Sequence, residues 1–107
     1  MDPLAKSLEL IALYDLYQNL LTDKQRNYFE EYYFNDYSIT EISENQTVSR
    51  NAVHDLLKRT IDKLYDYENK LHLLEVSKQR GELINNIKAR TTDEQILQLL
   101  DELSKVE

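Results

Sequence analysis

SITEISENQTVSRNAVHDLLKRT, residues 38–60, decides the fold, because two capped helices and the turn between them can be read directly from it. Ser38 stands three residues before Glu41, the spacing at which a hydroxyl caps the third amide of a helix and a carboxylate reaches back to the cap. Ile39, Ile42 and Ser43 then predict a first helix of about two turns. Asn45, Gln46 and Thr47 interrupt it, and Ser49 caps a second helix. There Ala52, Val53, Leu56 and Leu57 recur at helical spacing and are expected to pack. Arg50, Asn51, His54, Asp55 and Lys58 fall largely on the opposite face. One helix face packs, the other stays free, and the unit is a helix-turn-helix.

Upstream of this stretch, Thr22 and Gln25 form another capping box and open a helix that should run to about Phe34. It is rich in rings: Tyr28, Phe29, Tyr32, Tyr33 and Phe34, with Tyr37 just beyond. Their spacing makes one packing stripe, and beyond Lys24 and Arg26 no bases interleave it, so core packing is expected rather than stacking on nucleic-acid bases. Before it, Asp2 as cap and Pro3 as first helical residue predict a helix from about Pro3 to Leu20, with Leu4, Leu8, Ile11, Ala12, Leu16 and Leu20 in register.

Downstream, Val53, Leu57, Ile61, Leu64, Tyr67, Leu71 and Leu74 keep steps of three and four, with no breaker until Gly81. The spacing predicts one helix from Arg50 to about Arg80, roughly 45 Å long at ~1.5 Å per residue, too long for a small core to cover. Leu83, Ile84 and Ile87 suggest a short helix after Gly81. Thr91 and Thr92, with Glu94 and Gln95, make overlapping capping boxes for a last helix striped by Ile96, Leu97, Leu99, Leu100, Leu103 and Val106. The expected architecture is a single all-α domain over residues 1–107, with its helix-turn-helix core at 21–64 and packing or dimerisation helices at 65–107.

Composition agrees. The chain has 107 residues, a hydrophobic content of 41%, one Gly and one Pro, which suits one modest core of helices joined by few turns. No apolar run approaches the ~20 residues that span a bilayer, and no basic flank leads into an apolar segment at the N-terminus, so a cytoplasmic protein without membrane insertion is expected. The absence of cysteine excludes disulfides and thiolate chemistry. Thirteen Lys and Arg against twenty Asp and Glu give a net charge of −7, whereas nucleic-acid-binding domains are usually basic. The acidity is uneven: residues 1–37 carry −4, residues 61–107 carry −3, and residues 38–60 balance three bases with three acids.

From Leu21 to Leu64 the sequence LTDKQRNYFEEYYFNDYSITEISENQTVSRNAVHDLLKRTIDKL resembles the helix-turn-helix of bacterial sigma factors, their promoter-reading region 4. With YDYENKLHL at Tyr65–Leu73 continuing the match, the chain resembles still more closely the YlxM family of small all-α, DNA-binding proteins. That family is generally encoded beside the GTPase subunit of the signal recognition particle. The LTDKQ, Ser38-to-Glu41 and Val48-Ser49-Arg50-x-Ala52-Val53 elements carry the likeness. The resemblance implies a sigma-factor region-4-like fold, a regulatory or accessory role in the signal recognition particle pathway, and a homodimer. Three positions depart from the family pattern: Ser43 stands where Ala is usual, Gln46 where an apolar residue is usual, and Thr47 where Gly takes the left-handed turn position. Either Asn45 takes over the turn through a shift, or Thr47 adopts a conformation costly for a β-branched residue.

On the DNA-binding reading, Ser49 and Arg50 at the start of the second helix meet phosphate or base edges, Asn51 matches adenine, and His54 and Lys58 follow one and two turns along. Asp55 opposes phosphate but can accept from a cytosine amine. The competing reading is a non-DNA-binding homodimeric scaffold that acts on a signal recognition particle component. In either case the apolar stripes on the long and last helices, Leu64, Leu71 and Leu74 with Leu97, Leu100 and Leu103, exceed what one helical hairpin needs. A two-fold dimer reading one duplex would hold its recognition helices ~34 Å apart. Enzyme chemistry is not expected: one Gly cannot build a phosphate loop, His54 and His72 lack ligand spacing, and Glu30–Glu31 and Asp101–Glu102 lie as neighbours on solvated faces. No cofactor or metal is expected.

Overall fold

The computed structural model describes residues 4–106, in which six α-helices and one 3₁₀ turn follow one another without a strand. The chain divides into two compact units, residues 1–71 and 72–107.

The first unit holds α1 (Leu8–Tyr17), a 3₁₀ turn (Gln18–Leu20), α2 (Asp23–Tyr33), α3 (Ile39–Gln46) and α4 (Arg50–Leu71). The start expected at Asp2 and Pro3 lies outside the described residues. Helix α1 begins later than the expected helix because Ser7, in extended conformation, accepts from the Leu10 amide and caps it. Both upstream capping boxes form in full. Thr22 and Gln25 exchange bonds of 3.2 and 2.9 Å, and Ser38 and Glu41 exchange bonds of 3.0 and 3.2 Å. Arg26 donates to the carbonyls of Gln18 and Leu21 and to Asp23, which satisfies the end of the 3₁₀ turn.

Helix α4 is the spine of this unit, since α1, α2 and α3 all pack on it. Its buried residues are Val53, Leu57, Thr60, Ile61 and Leu64. The expected packing face is therefore rotated: Ala52 is exposed and Leu56 half-buried, while Thr60 is fully buried, its hydroxyl satisfied by donating to the Leu56 carbonyl at 2.8 Å. A polar residue can take a core position when its own helix supplies the acceptor.

Of the aromatic stripe expected to be core, Tyr28, Phe29 and Tyr33 are buried, Tyr32 is half-buried, and Phe34 and Tyr37, beyond the end of α2, are exposed. Phe29 is wholly buried between Tyr14 and Tyr33, with ring centroids 4.3 and 4.4 Å away. Phe34 meets Tyr14 edge-on and remains half exposed. The Tyr17 hydroxyl donates to Glu68 at 2.7 Å, and that of Tyr67 to the Leu20 carbonyl at 3.2 Å, so α1 and the turn after it are tied to the far half of α4.

The long helix expected to reach Arg80 stops at Leu71. His72 takes the left-handed conformation, φ 57° and ψ 29°, and α5 (Leu73–Lys88) begins directly after it. Histidine is among the few non-glycine residues enriched there, so one residue breaks the helix where neither Gly nor Pro marks a stop. Gly81 lies inside α5, and Leu83, Ile84 and Ile87 belong to that same helix rather than to a separate short one.

The second unit pairs α5 with α6 (Glu94–Lys105). Asp93, not either threonine, caps α6: its carboxylate accepts from the amides of Gln95 and Ile96, while the Thr91 hydroxyl accepts from the Asp93 amide. Lys88 and Asp101 bridge the two helices at 2.7 Å, and the ammonium holds the Asp101 carboxyl below its ordinary pKa. Among the described residues no helix is long and apolar enough to cross a membrane.

Candidate nucleic-acid interface

The helix-turn-helix is α3, a turn of three residues, and α4. The turn works because Thr47 itself adopts φ 56°, ψ 47°. Its amide donates to the Glu44 carbonyl, and the Val48 amide donates to that of Ser43 at 3.0 Å, the paired bonds of a Schellman stop. Asn45 stays helical, so no register shift occurs, and a β-branched residue occupies a backbone region that favours glycine. The other two departures are accommodated by hydrogen bonds. Ser43 is buried and donates to the Thr40 carbonyl at 2.7 Å, and Gln46 reaches Glu31 of α2 at 3.2 Å.

Ser49 starts α4 by accepting from the Ala52 amide at 3.0 Å, which leaves its hydroxyl proton free to donate outward. Arg50, Asn51 and Lys58 are exposed, and His54 is half-buried. The five residues singled out in the sequence thus lie within the first two and a half turns of α4, where a helix entering a groove presents its side chains. Arg50 has no carboxylate within ion-pair distance among the described residues. Lys58 does, with Asp62 at 3.5 Å, an exposed pair of the kind worth little in water. Asp55 is exposed on the same side as Asn51.

A groove of about 290 Å³ separates this part of α4 from α2. Tyr28, Val48 and Leu56 form its apolar floor; Lys24, Asp55 and Arg59 stand at its rim. The Lys24 ammonium sits 5.7 Å from the centre of the Tyr28 ring, whose hydroxyl pKa is raised by burial and then by Glu31. Lys24, which the sequence offers only as a base beside the aromatic stripe, and Arg59 lie 35 positions apart and share one groove only through the packing of α2 on α4. The signal available was an apolar pair, Ala52 and Leu56, at positions the core does not use.

Among the described residues no group of three or more His, Asp and Glu is placed to hold an ion. His72 lies 3.4 Å from Glu75, three residues along the chain.

Comparison with known proteins agrees with this geometry. A family model described as "Putative helix-turn-helix protein, YlxM / p13 like", UPF0122, matches residues 4–103. A UPF0122 protein of Anoxybacillus flavithermus is 46% identical over 109 residues, covering 97% of this chain and 99% of its own. One from Oceanobacillus iheyensis is 46% identical over 104 residues with the same coverage. A third, from Staphylococcus epidermidis, is 43% identical over 107 residues, covering 99% and 97%.

Proposed function

The chain belongs to the UPF0122 family, YlxM / p13 like, and we propose that its helix-turn-helix reads duplex DNA as a regulatory protein that binds rather than catalyses. The observation that carries this reading is the N-terminal half of α4. Arg50, Asn51, His54 and Lys58 stand clear of the core at its start, on a helix fixed by a capped end and a closed turn. Arg50 suits guanine or phosphate, Asn51 suits adenine, and the Ser49 hydroxyl suits a phosphate oxygen. The residues within the helix-turn-helix carry no net charge, so the acidity of the chain lies outside the reading segment.

The reader acts as a homodimer joined through its second unit. Of the stripe expected from the sequence, Leu64, Leu74 and Leu100 are buried, so the exposed apolar residues are others: Val76, Leu83 and Ile87 on α5, and Ile96, Leu99 and Leu103 on α6, with Leu83 and Leu99 each 63% accessible. On α6 the steps are three and four, the spacing of a helix seam made for another helix. The resemblance to YlxM proteins supports an accessory role in the signal recognition particle pathway, with one component of that particle as partner. The same exposed stripes, with the net charge of −7, favour the second reading, a scaffold that binds protein and not DNA.

Fluorescence anisotropy separates the two. A reader binds a pooled random duplex at low salt, loses affinity steeply as salt rises, and loses it again in Arg50→Ala with its circular dichroism unchanged. A scaffold ignores both the duplex and the substitution. Light scattering at micromolar concentration should return twice the chain mass; a monomer would end the dimer reading.

A further inference from the structure

We infer that Lys24 and Arg59 grip the DNA backbone beside the recognition helix, as a phosphate clamp distinct from the residues at the start of α4. This rests on the duplex-reading proposal and adds two contacts to it. On α4 successive side chains step round the axis by about 100°. Val53, Leu57, Ile61 and Leu64 mark the buried side. Arg50, two turns before Leu57, stands over the buried azimuth and is exposed because it opens the helix; going round the exposed arc, half-buried His54 falls at one edge, Lys58, Asn51 and Asp55 follow, and Arg59 comes next, towards the groove against α2.

An α-helix with its side chains is about 10–12 Å across, and the major groove is about 12 Å wide, so the middle of a seated helix meets bases and its edges meet the phosphates of both strands. Lys58 on one side and Arg59 on the other, with Asn51 and Asp55 between them, suit that arrangement. Asp55 lies where a cytosine amine rather than a phosphate approaches, and Asp62 follows two turns further along the same arc, paired with Lys58. Lys24 strengthens the α2 edge from across the groove, its ammonium held near the Tyr28 ring.

Several cations of the first unit are already engaged. Lys6 pairs with Asp36, Arg26 with Asp23, Lys58 with Asp62 and Lys70 with Asp66. Neither Lys24 nor Arg59 has a carboxylate within ion-pair distance among the described residues, although the chain is strongly acidic. Between them lie Tyr28, Val48, Ala52 and Leu56, and the Asp55 carboxylate shares the rim. Two unpaired cations flanking one furrow next to a reading helix fit an anionic backbone better than they fit water.

The test uses the full chain and a pooled random duplex, with anisotropy measured over a salt series. Each phosphate contact contributes about 0.9 to the slope of log affinity against log salt. Lys24→Gln and Arg59→Gln should each flatten the slope by about 1 and the double variant by about 2, with affinity falling alike on unrelated sequences. Arg59→Lys should restore the slope. Lys70→Gln, whose cation pairs with Asp66 near the end of α4, should leave it unchanged. If the wild type binds with a steep, Arg50-dependent slope that both glutamine variants retain, the clamp is wrong and the reader stands. If the wild type does not bind duplex even at low salt, the reading itself fails and takes the clamp with it.

Discussion

Replacing Thr47 should make this protein more stable, an unusual expectation for a residue at the centre of its functional motif. Thr47 sits at φ 56°, where an L-residue pays roughly 1–2 kcal/mol and a β-branched one stands at the upper end. Its side chain is exposed and has no hydrogen bond among the described residues, so truncation removes little. Glycine relieves the backbone but loosens the unfolded chain, which returns about 0.4–1 kcal/mol. Thr47→Gly should therefore gain a net of about 0.5–1 kcal/mol. Thr47→Asn, which tolerates the conformation without glycine's freedom, should gain about 1 kcal/mol. For a unit of this size 1 kcal/mol moves Tm by roughly 4–8 °C. All eight tyrosines lie in the first unit and the chain has no Trp, so thermal melts followed by near-ultraviolet circular dichroism report that unit alone. Thr47→Ala, lacking the β-branch but keeping the Cβ, should fall between wild type and the other two. A Tm that is unchanged or lower in both Thr47→Gly and Thr47→Asn would refute the strain argument. A gain equally large in Thr47→Ala would place it in the β-branch rather than the left-handed backbone.

Phe29→Ala should cost about 3–5 kcal/mol, because it removes the ring stacked between Tyr14 and Tyr33 in a fully buried site; denaturant titration of the same tyrosine signal measures it. Tyr14→Phe, by contrast, should be neutral or stabilising. The Tyr14 hydroxyl is buried without a partner at good hydrogen-bond geometry, the Glu30 carboxylate beside it making at best a poor acceptor, and deleting a badly satisfied polar atom removes its desolvation cost. Burial first, and Glu30 second, push the Tyr14 pKa up to about 12 from 10.0. The unfolded chain thus sheds this proton first, so stability holds below pH 10 and declines as pH rises towards 12, a decline that Tyr14→Phe should diminish. At the acid end the sign reverses. Lys88 depresses the pKa of Asp101, so the stabilisation is present above the ordinary carboxylate range and lost as pH falls through the lowered value; Asp101→Asn should remove that acid sensitivity from far-ultraviolet melts.

Sequence by itself determined the elements whose signals are local. Two capping boxes, at Thr22 and Ser38, formed as read, because a cap needs only residues three apart and the helix they start. Tyr28, Phe29 and Tyr33 of the aromatic stripe were legible as core, since ring size and helical spacing suit a packed face. The helix-turn-helix was legible for the same reason, down to the cap at Ser49 and the exposed start of α4. Tertiary structure alone decided the rest. Which side of α4 is buried depends on three helices converging on it, and that choice placed Thr60 inside and left Ala52 outside, against the hydrophobic pattern. The left-handed turn at Thr47 was one of two alternatives the sequence left open, decided only by the packed turn, and the one at His72 was invisible because a backbone dihedral, not a residue type, ends that helix. The cap at Asp93 displaced two threonines equally well spaced for the role, a choice made by the path of the chain between α5 and α6. The groove with Lys24 and Arg59 at its rim exists only because α2 lies along α4, and a charge pattern written 35 residues apart becomes a site only when packing brings its two halves to one face.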